Sequence, residues 1–236
     1  MTTKADARTR AREPLSRERI LDTAVALADE GGVESLSMRK IAQELGVVPM
    51  ALYKHVANKD ELLDGMIDVV VGEIDPPIEG ADWKTTMRER ILSARRALLR
   101  HPWASRVIES RREPTPTVIA YIDSMMGIFL EGGFSIDLMH HAIHVMGSRI
   151  LGFSQELFDD ASSMPADEAA EMWTQMADVY PNIAKLLPVA LTTHDEGGAV
   201  VGGGCDDQFE FEFALDLMLD GLERLRSAPT PQSSRV

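Results

Sequence analysis

The sequence has little that would stabilise an extracellular or a membrane protein. Its 236 residues include a single cysteine, Cys205, which cannot form a disulfide within the chain and so favours a reducing compartment. No apolar run is long enough to span a bilayer, and the N-terminal residues lack the apolar core of a signal peptide. We therefore expect a soluble, cytoplasmic protein.

Aromatic residues and strand-like alternation are also scarce. Aromatics make up 6% of the chain, whereas hydrophobic residues make up 44%, enough to bury a sizeable core in one or two domains. Few stretches alternate between apolar and polar residues, no internal repeat is present, and the 3.6-residue period dominates. The sequence therefore predicts an all-α fold.

The motifs of common catalytic and cofactor sites are missing. The glycine-rich segment 192–206 has no Gly-Lys-Ser/Thr ending, and the chain has no dinucleotide fingerprint and no nucleophile motif. His140 and His144, in a cluster with His141, lie one helical turn apart and could share a metal face, but two ligands from one helix are not a site. A hydrogen-bonding or interface role is the alternative for His144. We predict no cofactor, no bound metal and no enzymatic activity; an all-α enzyme is the rival interpretation.

Positive charge is in short supply overall but is concentrated near the start of the chain. The net charge is −14, yet residues 1–60 carry 10 Lys/Arg and 9 Asp/Glu, while the rest of the chain carries 14 and 29. Segment 37–59 has four basic residues and one acidic residue. Because a local positive face binds phosphate even on an acidic protein, this segment is a candidate for nucleic-acid binding.

Segment 37–59 also has the pattern of a helix-turn-helix. Two short helical patterns flank Gly46, which supplies the backbone angles of a tight turn. Leu52 and Val56 lie four residues apart and share a face of the second pattern. In this arrangement the second helix enters the DNA major groove. An ordinary helical hairpin with a glycine turn is the alternative.

Caps and linkers divide the chain into domains. Residues 1–15 are predicted to be a disordered basic arm, either a solvated tail or an arm that reaches the minor groove. A DNA-binding domain at 16–75, with a linking helix at 58–75, precedes the linker 76–82. A second domain at 82–226 and a disordered tail at 227–236 follow. The helices predicted outside the helix-turn-helix are 16–30, 58–75, 83–100, 102–109, 115–130, 135–158, 166–179, 182–187 and 207–226.

At Leu52-Tyr53-Lys54-His55 and Lys59 the chain resembles the tetracycline repressor family of bacterial regulators. The run Ser37-Met38-Arg39-Lys40-Ile41-Ala42 is similar as well, so the resemblance is strong over 16–75 and looser beyond. It implies a homodimer in which helices 135–158 and 207–226 form a four-helix bundle with the partner's copies. Both helices have more apolar surface than one-sided burial needs, which agrees; a monomer in which they pack on each other is the alternative.

The resemblance also implies roles for residues of the helix-turn-helix. Tyr53 and Lys59 would bind phosphates, and Lys54 and His55, on the same short helix, would also reach phosphate. Arg39 would contact guanine or else phosphate, and residues 48–51 would read thymine methyls. Tyr53 could instead pack between helices. The predicted DNA-binding residues are Ser37, Arg39, Val48, Pro49, Met50, Ala51, Tyr53, Lys54, His55 and Lys59.

By the same resemblance, the second domain would bind a small effector. Its helices carry many methionines, which adapt to varied hydrophobic ligands, although a methionine stripe is also typical of a core. The predicted effector-binding residues are Met87, Arg90, Ile91, Ala94, Ile108, Met125, Phe129, His144 and Ser148. Most of the family's tetracycline–magnesium site is absent: Asp75 and Ser148 stand where histidines are expected and Arg90 replaces an asparagine, although Glu156 matches.

Together these features predict a homodimeric, ligand-responsive repressor that binds a palindromic operator. The absent tetracycline–magnesium residues indicate a different effector, hydrophobic or aromatic. A ligand-independent regulator or an activator on the same fold is the alternative. The effector and the operator sequence are left open.

Overall fold

The computed structural model describes residues 14–152, 179–185 and 207–228, with the backbone alone at 148–152, 183–184 and 207. Over these residues the chain is helical and has no strand, which confirms the all-α prediction. None of the described helices is long and apolar enough to cross a membrane. The helices are α1 Arg17–Gly31, α2 Met38–Leu45, α3 Pro49–Leu52, α4 Lys59–Gly72, α5 Trp83–Arg100, α6 Trp103–Ser110, α7 Pro116–Glu131, α8 Ile136–Gly152, α9 Pro181–Ala184 and α10 Asp207–Ser227.

Some predicted features lie outside the described residues. They are the basic arm up to residue 13, the long helix beyond residue 152 with Glu156, most of helix 166–179, the glycine-rich segment 192–206 with Cys205, and the tail after residue 228.

The chain divides into two compact units, each described by itself below. Unit 1 comprises Met1–Ala81 and Glu89–Ile128, and unit 2 comprises Asp82–Arg88 and Phe129–Val236. Both α5 and α7 therefore contribute residues to each unit. The functional division at 76–82 stays a prediction.

The core of unit 1 is built around α1. Ser16 Oγ accepts the N–H of Arg19 at 3.2 Å and begins the helix, and Gly32, with a φ of 75°, ends it. α1 contacts α2 and α4, and α4 contacts α6. The first helix thus packs against the helix-turn-helix and supports it. Its buried residues recur at helical spacing and are Ile20, Leu21, Ala24, Val25, Leu27 and Ala28.

α4 ends at Gly72, three residues earlier than predicted. Asp75 precedes Pro76, and a residue before proline is disfavoured in the helical conformation. The N–H of Asp75 donates instead to Ser93 Oγ at 2.9 Å. Ile74, which was predicted to lie on the helix, is therefore beyond its end.

A partly buried polar network joins three helix ends in unit 1. His101, between α5 and α6, has Nδ1 2.9 Å from Asp29 Oδ1 and Nε2 3.2 Å from Glu73 Oε1. Trp103 Nε1 donates to the same Asp29 oxygen at 2.7 Å, and Arg100 Nε donates to Glu73 Oε2 at 3.1 Å. Burial disfavours the ionised form of Glu73, but hydrogen bonds from Arg100 and His101 outweigh it, so the pKa of Glu73 lies below its usual value.

Trp83 is the centre of the core of unit 2. Its ring lies edge-on to Phe134, with centroids 4.7 Å apart, and is tilted against Phe129 at 5.9 Å. Its Nε1 donates to Glu223 Oε2 of α10 at 2.9 Å. A Cβ at Gly132 would lie 2.7 Å from the Cβ of Trp83, so glycine is needed for this close approach.

Ion pairs join the start of α5 to α10 within unit 2. Arg88 Nε donates to Asp216 Oδ1 at 2.8 Å, and its Nη2 donates to Glu212 Oε2 at 2.6 Å. Lys84 pairs with Asp220. These pairs lie beside a buried apolar face of α10, formed by Phe211, Leu215, Leu219 and Leu222.

The lowered pKa of Glu73 predicts a pH-dependent contribution to folding stability. This contribution is present above pH 4.5, the carboxyl's usual value, and is lost as the pH falls through the lower folded-state value. Glu73→Gln should therefore lower the urea midpoint at about pH 7, and the difference from the wild type should shrink at about pH 3.5. Glu113→Gln, at an exposed carboxylate, is the control and should change neither midpoint. An equal loss for Glu73→Gln at both pH values would contradict the role of its charge.

Candidate nucleic-acid interface and ligand-binding residues

Gly46 makes the turn between α2 and the recognition helix α3. Its φ of 65° and ψ of 36° lie in the left-handed region, which side-chain-bearing residues rarely adopt. The N–H of Val47 donates to the carbonyl of Ala42 at 2.9 Å and closes the turn. α3 follows at once, with Val48 as its cap and Pro49 in its first turn. The predicted helix-turn-helix is therefore present.

Two buried residues orient α3. Leu52 and Val56 have no exposed surface, and both belong to the core of unit 1. Val48 and Met50, at the start of the helix, are 67% and 71% exposed. The N-terminal end of α3 therefore presents apolar side chains to solvent.

Polar and basic side chains follow directly after α3. Tyr53 is 44% exposed, which argues against the alternative that it packs between helices, and Lys54 is exposed. Lys54 and His55 were predicted to lie on the same short helix, but α3 ends at Leu52 and both residues come directly after it in a turn. The carbonyl of Leu52 accepts the N–H of His55 at 2.9 Å and the N–H of Val56 at 3.0 Å, so helical hydrogen bonding continues for one turn beyond the end of α3.

Lys59 is the first residue of α4. Two reciprocal hydrogen bonds between side chains and backbone cap the N-terminus of this helix. Asn58 Oδ1 accepts the N–H of Glu61 at 2.8 Å, and Glu61 Oε2 accepts the N–H of Ala57 at 2.7 Å. Asn58 and Glu61 thus form a capping box, a pattern that the spacing Asn-x-x-Glu favours. The exposed ammonium of Lys59 therefore stands at the positive end of a helix dipole, where an anion is favoured.

Ser37 and Arg39 lie at the start of α2. Ser37 Oγ caps the helix by accepting the N–H of Lys40 at 3.2 Å, and its side chain remains exposed. Arg39 is exposed as well. Of the ten predicted DNA-binding residues, Ala51 and His55 are half-buried and the others are exposed.

The predicted effector-binding residues fall in both units. In unit 1, Arg90, Ile91, Ala94 and Met125 are buried, and Ile108 is half-buried against the core. In unit 2, Met87 and Phe129 are buried, with Phe129 packed on the Trp83 cluster, and His144 is exposed. The side chain of Ser148 lies outside the described residues. Ile108 and Phe129 therefore take part in the packing of their own units.

Arg90 has an unusual environment for a buried arginine. Its side chain is 7% exposed, one Nη donates to the carbonyl of Asp75, and its guanidinium carbon lies 4.9 Å from the centroid of the Tyr121 ring. The Asp75 carboxylate does not face it: Oδ2 accepts from Ser93 Oγ at 2.7 Å and from Arg96 at 2.9 Å. These two hydrogen bonds hold the pKa of Asp75 below its usual value.

Two polar atoms at this place have no hydrogen-bond partner among the described residues, Arg90 Nε and the Tyr121 hydroxyl. Burial raises the pKa of Tyr121 to about 12, so its hydroxyl stays protonated and can donate. Tyr121 is not among the predicted effector-binding residues. Tyr121 lies four residues before Met125 on the same face of α7, so extending the predicted set by one helical turn from Met125 would have included it.

The histidines of α8 contact one another. The rings of His140 and His144 lie 4.7 Å apart, and those of His140 and His141 lie 5.6 Å apart. Within the part of the chain that the structure describes, no group of three or more His, Cys, Asp or Glu residues is placed to hold a metal ion.

Comparison with known proteins places both parts of the chain in one family. Residues 20–66 match the family of bacterial regulatory proteins called tetR, and residues 76–226 match the tetracyclin repressor-like C-terminal domain. An HTH-type transcriptional regulator of Saccharopolyspora erythraea is 34% identical over 132 residues, so the chain spans only 56% of that relative's length and the match covers 56% of this chain. The tetracycline repressor protein class D of Escherichia coli is 31% identical, over 89% of each chain.

A solved structure supports the same assignment. ActR of Streptomyces coelicolor, in complex with actinorhodin, superposes with a TM-score of 0.69 at 26% identity and covers 91% of this chain and 100% of its own. The helix-turn-helix geometry and both family matches lead to one conclusion: the chain belongs to the TetR family of DNA-binding transcriptional regulators and has a tetracycline repressor-like C-terminal domain.

Proposed function

We propose that the protein is a homodimeric transcriptional repressor that leaves a palindromic operator when a small hydrophobic or aromatic effector binds. The observation that carries the proposal is the recognition segment, in which Leu52 and Val56 are fully buried while Val48 and Met50 are exposed at the start of α3. Membership of a family of regulators excludes the all-α enzyme considered as a rival.

Within this proposal, residues around the turn divide into base-reading and positioning groups. Residues 48–51 are apolar and read thymine methyls and groove shape, and Arg39 contacts guanine or phosphate. Tyr53, Lys54, His55 and Lys59 contact phosphates and set the register of the protein on the duplex, and Ser37 contacts DNA from the start of α2. Support comes from the exposure of Tyr53 and of the lysines beside α3 and α4.

A substitution at Lys59 should separate phosphate contact from base reading. Lys59→Ala should weaken binding to all DNA sequences alike and reduce the slope of log K against log salt by about 0.9 for each half-site. Tyr53→Phe should weaken binding by about 1 kcal/mol without changing the slope, because it removes a neutral donor. The measurement is fluorescence anisotropy of a labelled duplex at several salt concentrations.

Lys185→Ala is the matched control for this series, since it removes an exposed lysine of unit 2. It should leave both affinity and slope unchanged. An unchanged slope for Lys59→Ala would refute the phosphate role.

The apolar surface of α10 supports the homodimer. One face of the helix is buried within unit 2, but Phe209, Phe213 and Leu217 follow one another at intervals of four residues and are exposed. On α8, Ile136 and Val145 are also exposed. A stripe of this kind is typical of an interface, and helices 135–158 and 207–226 are those proposed to form it.

Leu217→Glu tests the dimer, because Leu217 is 57% exposed in the single chain and a buried carboxylate would oppose association. Sedimentation should show monomer, and affinity for a two-half-site operator should fall to that for a single half-site. Leu99→Glu introduces the same charge at an exposed leucine of α5 and should leave the dimer intact. A Leu217→Glu variant that sediments as a dimer would rule out this interface.

The proposed effector is polycyclic and aromatic. Two relatives of similar fold are solved with small molecules: ActR with actinorhodin, and a TetR variant from Acinetobacter baumannii with minocycline. The buried residues Met87, Ile91, Ala94 and Met125 are compatible with an apolar ligand. Ile108, Phe129, His144 and Ser148 remain members of the proposed effector-binding set, with Arg90. Asp75 and Arg90 replace a histidine and an asparagine of the family's tetracycline–magnesium site, and this argues against a tetracycline as the effector.

Operator release tests the ligand response. An operator is selected from a random duplex pool, and its affinity is measured with actinorhodin, with minocycline plus Mg²⁺, and without ligand. Actinorhodin should lower operator affinity, and by linkage the operator should lower actinorhodin affinity by the same factor; minocycline should not. If operator affinity is the same in all three conditions, the ligand-independent regulator is correct. A reporter gene whose output rises with the protein present would identify an activator.

A further inference from the structure

A positive charge is buried in unit 1 without a negative partner among the residues that the structure describes. Arg90 is nine-tenths buried, and it is absent from the ion pairs formed by its neighbours. The nearby carboxylate of Asp75 is occupied by Ser93 and Arg96. The described contacts of the guanidinium are a hydrogen bond to the backbone carbonyl of Asp75 and the face of the Tyr121 ring. A buried cation normally has a carboxylate or another anion beside it.

Two donors are left over at the same place. Arg90 Nε–H and the Tyr121 hydroxyl both lack an acceptor within the described residues. They come from α5 and α7, and the guanidinium lies over the Tyr121 ring at 4.9 Å, so the two side chains form one local group. Buried donors without acceptors are rare in folded proteins and call for an explanation. An acceptor from outside the chain provides one.

The chemistry of the acceptor follows from the donors. The guanidinium is planar, remains ionised and donates in a fork that matches the two oxygens of a carboxylate. The phenol adds a neutral donor beside it. A neutral carbonyl would satisfy one donor but would leave the charge uncompensated, whereas a carboxylate would satisfy both requirements.

We infer that Arg90 and Tyr121 form an anion-binding subsite for the effector, which takes a carboxylate carried on an aromatic scaffold. This inference rests on the proposed ligand response and adds to it the charge of the ligand. In the structure the aromatic face of Tyr121 covers the guanidinium, so the carboxylate displaces that face as it binds. The backbone carbonyl of Asp75 holds the arginine in place from the other side.

The test compares two probes of the same scaffold and similar shape, anthraquinone-2-carboxylate, which is an anion with two acceptor oxygens, and its neutral carboxamide, which has one acceptor oxygen and an NH₂ donor. Calorimetry with the full chain should show that the carboxylate binds more tightly by about tenfold, as expected for one hydrogen bond between charged groups. Arg90→Gln keeps a donor for the Asp75 carbonyl but removes the charge, and it should abolish the preference. Tyr121→Phe should reduce the preference severalfold. Arg106→Gln, at an exposed arginine of the same unit that is paired with Glu34, should keep it.

A stability measurement distinguishes a ligand site from an internal ion pair. Without probe, Arg90→Gln should melt at the same temperature as the wild type or higher, because it removes an uncompensated buried charge. A lower melting temperature, an equal affinity of the wild type for both probes, no binding of the carboxylate, or a preference that survives in Arg90→Gln would overturn the inference.

Operator anisotropy with the same probes separates this inference from the proposed function. If the carboxylate is preferred but operator affinity does not change, the subsite is correct and the ligand response is not. If the carboxamide releases the operator as well as the carboxylate does, the ligand response is correct and the subsite is not.

Discussion

The position of the recognition helix depends on the burial of two side chains, Leu52 and Val56. α3 has four residues, and a helix of that length is not stable in water on its own hydrogen bonds. Full burial of two aliphatic side chains contributes about 3–6 kcal/mol, so the core around α1 holds the segment in place. Val48 and Met50 do not contribute to that core. They are therefore available for contact with DNA.

The same core extends into helices that do not read DNA. Ala97 and Trp103 belong to the buried cluster that includes Leu52, and His101 ties the junction of α5 and α6 to Asp29 of α1 and to Glu73 after α4. Movement of this junction would break hydrogen bonds that are costly to leave unmade. These hydrogen bonds link α1 and the end of α4 to the junction, and this offers a physical route for the proposed ligand response.

Arg90 lies on the helix that ends at this junction. His101 comes eleven positions after Arg90, directly beyond the end of α5, which is about 16 Å along the helix axis. A ligand that contacts the guanidinium would act on the same rigid element that carries the His101 network. The proposed subsite and the proposed control of DNA binding are thus connected within unit 1, through one helix and the hydrogen bonds of His101.

Features that depend on near neighbours can be predicted from the sequence. Helical periodicity placed most described helix ends within a residue or two. Caps such as Ser16, Ser37 and Asn58 can be recognised because each accepts a hydrogen bond from the residue three positions later, and Gly46 because a tight turn needs its backbone angles. Which charges are buried, and what they face, depends on the packing of distant segments. Arg90 meets Tyr121 and His101 meets Asp29 across 31 and 72 residues of chain. The sequence does not distinguish a charged or aromatic side chain that stays exposed on its helix from one that another helix covers. Burial, and with it the energetic need for a partner, arises when distant segments pack together.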